Sequence, residues 1–571
     1  MALQKKDREF RLPKISYLDF KTIEMDRVLT GLFERLEHGG YPSVFRDKRE
    51  LTVEKFVADI LEANDRFLGF SQHRDIVTRW VETHLMDIVN RGRKNAAVAG
   101  PRPLHGYTYR FRNPKHSRDY GAAQHLYQML YHARQRSGHN AIEHLKSFFF
   151  DGFDKLTREL NDKALTDIET GTLLHFLSQR KDTADTRAGG DRFAPVCIGA
   201  ADLMAEDIQR LLFYKSFMPR SVMVEYLKVL LAFHLALYHL RLLKLLPAWQ
   251  KLGGANALCA EATCPVKPRE PHQPQGDCPY KLGLFVDLSG NAESDTVALA
   301  ERSADGYYRR IPGFVRAYFV AKKLDEFSEH LVRRGKVIRP LNSVFSVGEL
   351  YGLQGEPFAE ERDKFFGERL AGLLESLSEG DAGLDSEVEA ITKMGLSDFE
   401  TYIEILVALR GTFHRKYIIE SLDSTMLKNR PGALLAQTRA RNAPRRFTLD
   451  SRLLEVLLQI AVLRPGGDKG YFTGEMRIDD LLAFLRERYG LYIDQLPPGE
   501  GFAAPTIDER KALRSNVQAF TARLREIGFY RDLSEVAGFE LETAGVLKAG
   551  RRFWALARTG KSACLKGNDV V

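Results

Sequence analysis

Apolar residues recur at three- and four-residue intervals along most of the chain. That spacing predicts helices over residues 51–64, 75–89, 122–136, 201–214, 222–246, 317–332, 365–377 and 399–422. Two-residue alternation is rare. Residues 106–112 (GYTYRFR) alternate aromatic and basic side chains and predict a hairpin arm; residues 281–287 (KLGLFVD) predict a buried strand. Residues 539–547 and 551–557 predict the two arms of a C-terminal ribbon. The most apolar run, 222–249, carries Glu225, Lys228, His234, His239, Arg241 and Lys244 along its length. Charges are costly in a bilayer, so this run predicts a buried central helix and not a membrane span.

The fold class expected is mainly α: a large multi-helical body, a short strand-containing insert and a C-terminal winged-helix-like domain. Composition shifts divide the chain into an N-terminal helical domain (1–250), a Cys- and Pro-rich loop with a strand (251–292), and a second helical domain (293–428). A basic linker (429–446) and the winged-helix-like domain (447–571) follow. In the last unit two apolar helices precede Thr506-Ile-Asp-Glu509, a capping box in which each end satisfies the other's backbone N–H. The helix it starts buries Leu513, Val517, Phe520, Leu524 and Ile527 and turns Arg510, Lys511, Arg514, Asn516 and Arg523 to the other face. Helix, helix, helix, ribbon is a winged-helix order, with the third helix offered to a DNA groove. Such modules also bind proteins, and Asp508 and Glu509 would repel a phosphate at the helix start.

The net charge of +8 on 571 residues is modest, but it is unevenly spread. Residues 88–118 hold eight basic residues and no acid; residues 424–449 hold six and no acid. The rest of the chain is mildly acidic, so two basic stretches form a footprint for a polyanion such as DNA. In the first, Arg91, Arg93, Lys94, Arg110, Arg112 and Lys115 are candidate phosphate contacts, and Tyr107 and Tyr109 candidate base-stacking rings. In the second, Arg439, Arg441, Arg445 and Arg446 fit an arm that tracks a phosphate backbone. The competing reading is a half-buried hairpin with core aromatics and a solvated linker.

Catalytic signatures nearly match and then fail. ALARTGKS (555–562) lacks the first glycine of a phosphate-binding loop, and His414-Arg-Lys416 lacks the acid of a phospholipase-D-type motif. Asp287-Leu-Ser289 resembles part of a metal-ion-dependent adhesion site, but Asn291 stands where a serine belongs. His125, His132, His139 and His144 are spaced as surface or interface residues. The spacing Cys259-x4-Cys264-x7-His272-x5-Cys278 offers four ligands for a structural zinc in a segment too poor in apolar residues to hold itself by burial. The alternative is a surface loop with incidental cysteines. Five unevenly spaced cysteines do not form a disulfide framework, and MALQKKDREFRLPK has no apolar segment of a secretory signal. The compartment expected is the cytoplasm, without membrane contact.

At LKNRPGALLAQTRARNAPRRFTLDSRLLEVLLQIAVL the chain resembles accessory proteins of bacterial anti-phage defence islands, the methylation-associated systems first and phosphorothioation-linked systems second. The resemblance covers the C-terminal third and the helical body. It implies a cytoplasmic bacterial protein working beside a helicase, methyltransferase or nuclease, and it carries no catalytic residues. The expected role is therefore a non-enzymatic DNA-associated subunit that docks partner proteins. Two alternatives stay open: a metal-dependent nuclease or hydrolase with acids near Asp287 and Asp295, and a protein–protein scaffold with the winged helix as adaptor.

Overall fold

The computed structural model describes residues 3–44, 52–62, 67–134, 140–154, 167–175, 182–187, 192–259, 264, 278–290, 293–340, 344–378, 385–440, 443–466, 471–531 and 546–547. Helices dominate it. The main ones in the first half are α1 (Met25–Glu37), α2 (Ala122–His132), α3 (Ile198–Leu212) and α4 (Arg220–Leu252). The next four are α5 (Asp295–Tyr308), α6 (Ile311–Arg333), α7 (Ala359–Ser378) and α8 (Asp398–Thr425). The last three are α9 (Ser451–Ala461), α10 (Ile478–Tyr489) and α11 (Ile507–Glu526).

The axis of the fold is α4. Its 33 residues span roughly 50 Å at 1.5 Å per residue. Helices α3, α6, α8 and α9 all pack on it, so it is apolar around its whole circumference, as a helix without a solvent face must be. It is the one helix among the described residues long and apolar enough to cross a membrane, yet 94% of its apolar window is buried inside the fold. The helix ends at Gly253, whose φ of +66° is the left-handed C-cap conformation glycine adopts without a Cβ penalty.

Polar groups on α4 find partners at depth. Asp207 of α3 accepts from His234 of α4 (3.0 Å), Tyr489 Oη (2.8 Å) and Arg488 Nε (3.1 Å) of α10. Burial pushes the Asp207 carboxyl up, but Arg488 and His234 outweigh it and bring it down to about 2. This fully buried carboxylate joins three helices from distant parts of the chain. The N-terminal segment is tied in similarly. Phe10 stacks on Tyr318 (4.2 Å) and His414 (4.3 Å), and Asp7 accepts from Tyr402 Oη (2.7 Å) and Lys323 Nζ (2.8 Å).

Strands are short. β1 (Met86–Val89) and β2 (Ala97–Pro101) form an antiparallel pair, so the helix expected over 75–89 gives way to strand at Met86. GYTYRFR is not a strand. Gly106–Phe111 is a 3-10 turn with Tyr107, Tyr109 and Phe111 all buried. β3 (Leu284–Phe285) realises the KLGLFVD strand. β4 (Leu435–Gln437) and β5 (Arg445–Phe447) make an antiparallel hairpin where a linker was expected. β6 (Leu463–Pro465) and β7 (Tyr471–Thr473) make another. β8 (Met476–Arg477) lies beside β11 (Val546–Leu547), which also pairs with β10 (Tyr530–Arg531), giving the order β10–β11–β8. The second expected ribbon arm, 551–557, lies outside the described residues.

β3 pairs in parallel with β9 (Leu491–Tyr492), and Asp287 bridges to Thr448. These pairings cross the boundary expected between body and C-terminal unit, and one apolar cluster runs from Leu3 to Tyr530.

Candidate nucleic-acid interface and a cluster of thiols

The capping box at the start of α11 is formed: Thr506 Oγ1 accepts from Glu509 N (3.2 Å) and Glu509 Oε2 from Thr506 N (2.8 Å). From that fixed start the helix presents two faces. Ala512, Leu513, Asn516, Phe520 and Leu524 are buried. Ala512 and Leu513 sit in a small apolar cluster with Phe285, Leu299, Ala300 and Tyr492. The solvent face carries Lys511, Arg514, Gln518, Ala522 and Arg525 in steps of three and four, with Arg510 beside them. Lys511 meets only the exposed Asp508 at 3.5 Å, a weak contact between solvated groups.

Asn516 belongs to the other face. It is fully buried, accepts from Leu288 N (2.9 Å) and donates to the Val286 (2.9 Å) and Ile493 (3.0 Å) carbonyls. One amide thus fastens α11 to the ends of both β3 and β9. Sequence periodicity placed it among the polar, outward residues because asparagine gives no hint of its partners.

The first basic stretch divides. Arg91, Arg93 and Lys94 are exposed on the β1–β2 turn, and Lys115 is exposed after the 3-10 turn. Arg112 is drawn inward to Glu34 (2.7 Å). Arg110 lies over the Tyr107 ring (5.1 Å) and 3.7 Å from Asp182. Tyr109 donates to Asp182, which also accepts from Ser43 and His38. Burial opposes charge on Asp182, but these hydrogen bonds hold its carboxyl well below the usual carboxylate range. Tyr107 and Tyr109, only 4% and 2% exposed, are core rings and offer no face to a base. The alternation misled because a 3-10 turn does not sort side chains onto two faces: Phe150 and Phe153 pack on Tyr107, and Gly106, Tyr107, Thr108 and Tyr109 are all buried.

The second stretch divides as well. Arg439 is exposed and Arg441 lies outside the described residues. Arg445 makes a two-pronged bond to Asp423 (Nε and Nη2, each 2.9 Å) and covers the Tyr308 ring. Arg446 faces Asp287 at 3.7 Å. These two arginines hold the β4–β5 hairpin to the body, so neither extends from it as an arm. Asp287 is itself a structural hub, with Oδ1 accepting from Ser289 N (3.1 Å), Ser289 Oγ (2.7 Å) and Thr296 Oγ1 (2.6 Å). Among the expected surface histidines, His125 is buried and His139 lies outside the described residues.

The cysteines converge. Cys259, Cys264 and Cys278 line a cavity of about 20 Å³, and the fourth thiol there belongs to Cys197, the residue before α3. Arg241 of α4 enters the same cavity, with Nη1 3.5 Å from Cys197 Sγ. Burial, reinforced by the neighbouring thiols, pushes Cys259 up to about 12. His272, the expected fourth ligand, lies outside the described residues. Among the described residues no group of three or more His, Cys, Asp or Glu is placed to hold a metal ion as it stands. Cys197 was missed because it lies 62 positions before Cys259, far beyond the reach of spacing rules.

No curated protein and no solved structure matches this chain. A family model for a domain of unknown function, DUF932, matches residues 520–571, most of them beyond the described part. A second family model, that of the methylation-associated defense system protein MAD7, matches residues 5–537 and so takes in the whole helical body, the thiol cluster and α11. The chain belongs to the family of methylation-associated defense system protein MAD7.

Proposed function

We propose that the protein is a non-enzymatic, cytoplasmic subunit of a methylation-associated anti-phage defence system that holds DNA and docks the partner proteins such a multi-gene system implies. The observation that carries the reading is the solvent face of α11. Arg510, Lys511, Arg514 and Arg525 stand there on a helix whose opposite face is locked to the body. The element order supports it. Helix α9, strands β6, β7 and β8, helix α10, strand β9, helix α11, then β10 and β11, with sheet order β10–β11–β8, would suit a winged helix with α11 as its third helix. The exposed Arg91, Arg93, Lys94, Lys115 and Arg439 would add phosphate contacts without sequence information.

The hydrolase alternative loses ground on geometry. One Asp287 oxygen is saturated by three donors and the other faces Arg446, while Asp295 is an exposed residue in the first turn of α5. Asp287 closes a strand end and Asp295 starts a helix.

The test is fluorescence anisotropy of the full chain on short duplex and single-stranded DNA at low and moderate salt. Four phosphate contacts from α11 give a log–log salt slope of about −4 on duplex. K511E/R514E should weaken binding at least tenfold, and R445A, once shown to be folded, should weaken it far less. No binding at low salt to either form would sink the DNA reading and leave the scaffold role.

A further inference from the structure

The thiol cavity is an unusual place in this fold. Four of the chain's five cysteines meet there. They come from separate stretches: Cys197 before α3, Cys259 in the short 3-10 turn after α4, Cys264, and Cys278 on the approach to β3. The cavity, about 20 Å³, has room for one ion or one water and nothing larger.

Arg241 supplies an independent observation. It is 3% exposed, and among the described residues no carboxylate pairs with it. Among the described residues its one hydrogen bond goes to the Cys197 sulfur, and its Nε has no partner. A buried guanidinium without an anion is costly. The groups around it that can become anions are the four thiols. A second arginine, Arg134, is bonded to Asp202 (Nε, 2.8 Å) and also reaches the Cys264 thiol.

We infer that Cys197, Cys259, Cys264 and Cys278 together bind one structural Zn²⁺ as thiolates, with Arg241 as the counter-charge beside the shell. Four thiolates satisfy the tetrahedral preference of zinc and close the shell, leaving no open position for catalysis. The complex carries a net −2, and the single positive charge of Arg241 offsets half of it. Each Cys S–H gives its proton to solvent as its sulfur binds the ion, so loading is pH-dependent and releases protons. To close at Zn–S distances of about 2.3 Å the sulfurs move inward from the cavity wall. The ion would then fasten α3 and α4 to the strand β3 and fix both ends of residues 265–277 (PVKPREPHQPQGD), which have almost no apolar side chains to bury.

The probe is Co²⁺ added to the reduced, metal-stripped full chain. The result expected is about one Co²⁺ per chain, with the thiolate-to-cobalt charge-transfer band and intense visible d–d bands of a tetrahedral four-sulfur site, displaced by Zn²⁺. H272A should keep stoichiometry and spectrum; C197S should bind at least tenfold more weakly and show a three-sulfur spectrum. Should C197S fail to fold, the half-buried C259S takes its place. Alkylation followed by mass spectrometry gives a readout without mutation, since Zn²⁺ should protect the four thiols at 197, 259, 264 and 278. Three outcomes would overturn the assignment: no stoichiometric Co²⁺ uptake by folded reduced protein, loss of the spectrum in H272A with retention in C197S, or recovery of the cysteines as disulfides under reducing purification.

Discussion

Asn516 offers the sharpest test of how α11 is held. Replacing it by alanine leaves the Leu288 N–H and the Val286 and Ile493 carbonyls without their partner in a fully buried site. Each orphaned backbone group costs about 1 kcal/mol or more, so the attachment of α11 to β3 and β9 should weaken by about 3 kcal/mol. That is roughly two decades in a local opening equilibrium. Hydrogen–deuterium exchange read by mass spectrometry reports that opening directly. Peptides covering 507–526 and 284–293 should exchange on the order of 100-fold faster in N516A, while α6 peptides stay unchanged. N516D, nearly the same size, separates hydrogen bonding from volume. It can still accept from Leu288 N but sets a carboxylate against two carbonyls, so it should open more readily than N516A at pH 7.5. Exchange in N516A within threefold of the parent would refute the reasoning, because it would mean that apolar contacts alone hold the helix.

Other outcomes follow from buried titratable groups and one backbone position. Burial lowers His105 to about 3 and His239 and His414 to about 4. The folded state therefore keeps these rings neutral while the unfolded chain protonates them; their contribution is complete above about pH 6.5 and is lost as pH falls towards 4. At pH 5 the loss is about 2 kcal/mol per ring, so the thermal midpoint should fall markedly between pH 7.5 and 5, and an unchanged midpoint would count against buried neutral histidines. Asp207 has the depressed-carboxylate sign, contributing above its unfolded value and losing that contribution only as pH drops towards 2. D207N removes the nearer of the two carboxylates on the buried Arg488 guanidinium and leaves Glu206 at 3.3 Å; it should cost about 3 kcal/mol, seen as a lower urea midpoint with unchanged slope, and a shift below about 1 kcal/mol would show that Glu206 suffices. Gly490 has φ +75° and stands where a Cβ would lie 2.2 Å from the Leu282 carbonyl oxygen. G490A should cost at least about 2 kcal/mol and speed proteolysis near β9, whereas parent-like resistance would contradict the close approach.

Local rules made the helices legible. The period of α8, the buried α4 and the Thr506–Glu509 box all follow from neighbours within four positions. What escaped depends on partners far along the chain. Cys197 joins the thiols only through tertiary packing. Asn516 turns inward because two strand ends, 230 and 23 positions away, present backbone groups to it. Arg445 and Arg446 read as solvated cations until Asp423 and Asp287 are brought beside them. GYTYRFR showed a true alternation, but alternation implies two faces only in a strand, and this segment is a 3-10 turn.

The docking of the N-terminal segment carries a consequence in time. Asp7 and Tyr402, bonded in the finished molecule, are 395 positions apart. At about 5–20 residues per second a ribosome needs roughly 20–80 s to travel between them. Throughout that interval the first segment has no seat, and the apolar circumference of α4 waits for α6, α8 and α9 to emerge and cover it. Nascent chains should therefore lean on chaperones until synthesis is nearly complete. Fragments ending before residue 425 should aggregate where the full chain does not.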